Sequence, residues 1–147
     1  MKKILFLMLL AYTYSFAEIV VGKPFEQFSI KDQFGKDHQV KPSTKKVIFA
    51  FKKASGHSMK DYLKTKPKDF LAKNNAMYVA DVTAMPSFIK FFVLPIKGYD
   101  FPIITLNDET LSKRYLNKEH IEKIMVVSLE NFVITKIEYV QNAKEIF

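Results

Sequence analysis

Ser55-Gly56-His57-Ser58 is the stretch whose residue types could do chemistry. Two hydroxyls flank an imidazole, which suggests a nucleophile and its base. A serine hydrolase at Ser55 and His57 would also need a group to orient the histidine and an oxyanion hole. The sequence holds no Gly-x-Ser-x-Gly elbow, and residues two apart on a helix do not face each other. The other reading is structural: Ser55 shapes a loop, Gly56 supplies an unusual backbone angle if one is needed, and Ser58 caps the next helix. The free N–H groups of that helix start would also suit an anion or a peptide. No catalytic residue is assigned. His38 and His120 stand alone, so no metal constellation is legible. The carboxylates are scattered, with no pair to serve as acid and base. No cofactor is expected.

The charge around this stretch is one-sided. Residues 52–73 hold seven lysines against Asp61 and Asp69. A solvated helix face accounts for them. Alternatively, Lys52, Lys53, Lys60 and Lys64 form a patch for a protein or peptide with an acidic surface, or for anionic lipid or polymer. Further on, Phe88 to Leu94 is apolar apart from Lys90, which predicts a buried helix. Were it exposed, it would be a patch for a partner or a membrane surface.

Lys2 and Lys3 precede an apolar run from Ile4 to Tyr12, and Ser15-Phe16-Ala17 puts small residues before a cut ahead of Glu18. That is the layout of a secretory signal peptide over residues 1–17, too short to span a bilayer. The expected compartment is a bacterial periplasm, and nucleic acid is not an expected partner despite the net charge of +8. Residues 18–147 then form one domain. The 147 residues contain no cysteine, so the exported domain stands on its core without disulfides. With 14 Phe and 7 Tyr, that core is rich in aromatic rings.

The elements that must position these residues follow from periodicity. Residues 26–40 read as a hairpin around Asp32-Gln33-Phe34-Gly35-Lys36. Val47 to Phe51 is a continuous apolar run, which predicts a central strand covered on both faces. A helix is expected from Ser58 to Leu63, broken near Pro67. Met77 to Val82 and Ile103 to Leu106 predict strands, and Leu111 to Leu116 a helix. Ile124 to Leu129 and Phe132 to Val140 predict a hairpin, and Asn142 to Phe147 starts a last helix. Strands alternating with helices argue an α/β fold: a central mixed sheet flanked by helices, behind an N-terminal β-hairpin. The loop after Phe51 then lies at the carboxyl end of a central strand, where open α/β sheets place their sites.

Gly22-Lys23-Pro24-Phe25 and Phe28-Ser29-Ile30-Lys31-Asp32-Gln33-Phe34-Gly35-Lys36 resemble the opening of redoxin domains, the peroxiredoxin and TlpA-like branch of the thioredoxin-like superfamily. Phe101-Pro102-Ile103-Ile104, Asn107-Asp108 and Leu111 to Tyr115 resemble a later redoxin stretch, and Ile124 to Val140 the closing hairpin. The resemblance implies a thioredoxin-like fold with Ser55 and Ser58 at the two positions of a Cys-x-x-Cys pair. It also implies a cis-proline. That residue is Pro102 in a thioredoxin register. In the redoxin register, which fits the hairpin better, it directly precedes Ile124, where Lys123 stands. The expected protein is an exported redoxin-like domain that has lost redox activity and binds a partner protein or peptide.

Overall fold

The computed structural model describes residues 19–87 and 94–147. The proposed signal peptide and most of the apolar segment 88–94 lie outside the described residues. The elements are β1 (Ser29–Lys31), β2 (Asp37–Gln39), β3 (Lys46–Ala50), α1 (Lys53–Lys64), α2 (Phe70–Lys73), β4 (Ala76–Asp81), α3 (Leu94–Lys97), β5 (Ile104–Leu106), α4 (Glu109–Tyr115), β6 (Ile124–Glu130) and β7 (Val133–Val140). Five strands form one mixed sheet in the order β5-β4-β3-β6-β7. β3 runs parallel to β4, and β4 to β5, while β6 is antiparallel to both β3 and β7. The predicted α/β class, central strand and closing hairpin are all present.

β3 is central because it can feed two cores at once. Alternate residues of a strand point to opposite faces. Val47, Phe49 and Phe51 join Phe25, Phe28, Tyr115, Met125 and Val127 on one side. Ile48 and Ala50 join Met59, Leu63, Tyr78, Ile103 and Ile124 on the other. Ser55, Met59 and Leu63, four residues apart, form the stripe by which α1 lies on that second core.

The predicted N-terminal hairpin is β1 and β2, paired antiparallel. Gln33 stitches it to the rest of the molecule: its side chain donates to Phe101 O at 2.8 Å and accepts from Ile103 N–H at 2.7 Å. Gly35 in the turn has φ +81°, a left-handed angle that favours glycine. The lead-in reaches the far side of the sheet, where Gly22 N–H donates to Ile134 O and Phe25 N–H to Phe132 O, both at 2.7 Å.

Two elements differ from expectation. The helix expected from Ser58 begins at Lys53. The last helix is a single 3₁₀ turn, Ala143–Glu145, in which Asn142 and Glu145 cap each other. Ala143 and Ile146 already enter the second core from this one turn.

Candidate functional site

The early helix start changes the roles of all four residues in the Ser55–Ser58 stretch. Lys52 is extended at φ −129° and ψ 162°, and it takes the cap position. Ser55, third in the helix, accepts from Lys52 N–H at 3.3 Å and donates to Lys52 O at 2.9 Å. Ser55 therefore closes the first turn, and its residue is 3% exposed. Ser58 is not the N-cap: it lies in the helix body, and its Oγ accepts from Ala143 N–H at 3.2 Å, tying α1 to the C-terminal turn. Gly56 is helical and is not among the glycines with positive φ. His57 is exposed. Among the described residues no hydrogen bond joins Ser55 to His57, so the hydrolase reading lacks its nucleophile–base contact.

The stretch does face a cavity. A groove of about 510 Å³ opens between the start of α1 and the carboxyl ends of β3 and β4. Its floor and walls are apolar, including Phe51, Tyr78, Val82, Met85, Ile96 and Ile103. Lys52, Lys53, His57 and Lys60 line it from α1. Three of the four patch lysines thus meet at one mouth. Lys64 stands a turn away, with its Nζ 5.0 Å from the centre of the Tyr99 ring and 3.7 Å from Asp61. Lys60 lies over the same ring at 5.6 Å. Burial, with Tyr99 nearby, pushes the Tyr78 hydroxyl pKa well above its ordinary value, so it stays protonated in the wall of the groove.

Sequence reasoning missed Asp81. It ends β4 and lines both the groove and a neighbouring cavity of about 240 Å³, which is bounded also by Ser112, Lys113 and Ile121. Its carboxylate accepts from Thr83 N–H at 2.8 Å, from Thr83 Oγ1 at 2.6 Å and from the Ser112 hydroxyl. These bonds brace the turn after β4 against α4. An acid closing a buried strand, with threonine two residues on, is the sequence signal for such a turn. Ser112 offers no such signal, because its partner is 31 residues away.

Pro102 precedes β5, which extends the parallel part of the sheet, whereas β6 beside β3 begins at Ile124. This is the placement expected above for the redoxin register. Among the described residues there is no cis peptide bond, so neither Pro102 nor the residue before Ile124 supplies the proline that the resemblance implied.

No protein-family model matches the sequence, and no curated protein matches it. Solved structures do. StoA from Bacillus subtilis is 17% identical over 85% of this chain and 96% of its own, with a TM-score of 0.57. A peroxiredoxin-like protein from Aquifex aeolicus is 9% identical over 88% and 85%, with a TM-score of 0.55. A putative protein disulfide isomerase from Bacteroides thetaiotaomicron is 16% identical over 87% and 84%, with a TM-score of 0.54. Together with the hairpin and the five-strand order, these likenesses show that the chain has a thioredoxin-like fold, and its sequence carries no thiol.

Proposed function

We propose that the chain is a non-catalytic, exported binding domain whose groove at the start of α1 takes an acidic segment of a partner protein or peptide. One observation carries this reading: an apolar cavity of about 510 Å³ lined on one side by Lys52, Lys53 and Lys60. Apolar walls favour burial of a side chain, and the lysines favour negative charge beside it. Without cysteine there is no thiolate to attack a disulfide or a peroxide. The domain then works by holding a partner in the periplasm after cleavage ahead of Glu18.

The test uses a fluorescent peptide combining glutamates with a phenylalanine, and its counterpart with lysines for glutamates. The acidic peptide binds, the basic one does not, and Lys53→Glu with Lys60→Glu abolishes binding. Equal affinity for both peptides, or none for either at millimolar concentration, defeats the proposal. N-terminal sequencing of protein from the periplasmic fraction checks export; a mature chain that still begins at Met1 defeats that part.

A further inference from the structure

Nearly all of the chain's net charge sits in one stretch. Residues 45–73 hold nine lysines and two aspartates, which is seven of the eight net positive charges of the whole sequence. The fold arranges much of that stretch around the end of α1. On one flank of the helix, the Lys60 and Lys64 ammoniums lie over the Tyr99 ring, 5.6 and 5.0 Å from its centre. Tyr62, two residues from each, lies on the other flank. There Lys66 stands over Tyr62 at 4.8 Å and over Phe70 at 5.5 Å. Phe147 stacks on Tyr62 at 6.0 Å and meets Phe70 edge-on at 4.9 Å. Lys46 stands 5.0 Å from the centre of the Phe147 ring and donates to Ile146 O. Among the described residues, every lysine held over an aromatic ring belongs to this group.

A ring under a lysine carries its methylene stem and leaves the ammonium in water. The two aspartates do little to cancel the charge. Asp69 pairs with Lys73 at 2.9 Å, and Asp61 reaches Lys64 at 3.7 Å. Phe147 is left exposed among these cations. The charges straddle a helix instead of converging on a point, and Lys46, Lys64 and Lys66 line neither cavity described above. Such a layer is complementary to negative charge spread over a surface, as on a bilayer of anionic lipid. Aromatic rings with one wet edge settle at the headgroup level of such a surface. Among the described residues no helix is long and apolar enough to cross a membrane, so the contact is peripheral.

We infer that the lysine-and-ring face around the end of α1 docks the domain on an anionic lipid surface. The inference stands without the groove: Lys60 alone belongs to both, and neither occupant is needed for the other.

The test sediments the full chain with vesicles of phosphatidylcholine alone, or of equal parts phosphatidylcholine and phosphatidylglycerol. At about 50 mM salt the mixed vesicles bind roughly tenfold or more tightly, and the advantage disappears at about 500 mM. Each lysine near an anionic surface strengthens binding by roughly fivefold, so Lys64→Gln with Lys66→Gln weakens it by roughly tenfold or more. Lys36→Gln with Lys118→Gln removes the same charge from other elements and leaves vesicle binding unchanged. Lys64→Gln with Lys66→Gln still binds the acidic peptide, because neither lysine lines the groove. No preference for the mixed vesicles, or a preference that survives high salt, overturns the inference on the unaltered protein alone. Equal losses in the two double variants overturn it as well, because net charge would then suffice. Displacement from the vesicles by soluble polyglutamate at matched charge overturns it in favour of an acidic protein partner.

Discussion

Tyr115 sets packing against polarity at a single residue. Its ring stacks on Phe25 at 5.5 Å and on Phe49 at 4.8 Å, yet its hydroxyl is buried with no hydrogen-bond partner among the described residues. Burial, with the Glu26 charge adding to it, pushes that hydroxyl's pKa well above the ordinary value. An unmet buried donor costs stability. Tyr115→Phe should therefore hold stability or raise it by up to about 1 kcal/mol, read from urea unfolding. Asp32 is the opposite case. Burial alone would raise its pKa, but the His38 side chain and the N–H groups of Lys36 and Phe34 outweigh burial and hold it below the ordinary 3.8. The unfolded chain then takes up this proton first as pH falls. The stabilisation is complete above the unfolded value and is lost as pH drops through the folded one. Asp32→Asn should flatten the decline in the urea midpoint below about pH 4, and an unchanged decline would count against this assignment. Neither property was legible in the sequence, because each depends on what surrounds the residue.

At the scale of the element, α1 is the informative case. A helix over Met59 to Leu63 was legible in the sequence, but its start was not. Lys52, Lys53 and Ala54 offer no side chain of the usual capping kind, so the sequence pointed to Ser58. Ser55 supplies the closing bonds from inside the first turn. Ser55→Ala should cost about 1 kcal/mol, seen as a lower urea midpoint with an unchanged slope. Gly56 lies one residue further on, where an added Cβ would meet only the Tyr78 hydroxyl, at 3.8 Å. Gly56→Ala should then gain up to about 1 kcal/mol from helix propensity. A loss would mean that the wall of the groove cannot accept a methyl group.

The whole molecule joins these elements into a sheet of thioredoxin-like fold, with a lysine-lined groove between the start of α1 and the carboxyl ends of β3 and β4. Purified protein should neither reduce insulin disulfides nor turn over hydrogen peroxide catalytically, since the chain holds no thiol. Turnover that stays with the protein through successive purification steps would refute this. The signal layout of residues 1–17 and the segment 88–94 bear on export and on membrane contact, and the mature N-terminus and vesicle binding at low salt are the measurements that address them.

The sequence by itself determined the chemistry this chain lacks and the strands it forms. Cysteine content is a property of composition, and a period of two or an unbroken apolar run is local, so β3, β4 and the hairpin of β6 and β7 were readable residue by residue. Only the tertiary structure decided where α1 begins, that Asp81 is held by a serine 31 residues distant, and that Lys52, Lys53 and Lys60 share one groove while Lys64 does not. Each of these depends on contacts between segments far apart in the chain, and such contacts leave no periodic trace in the residues that make them.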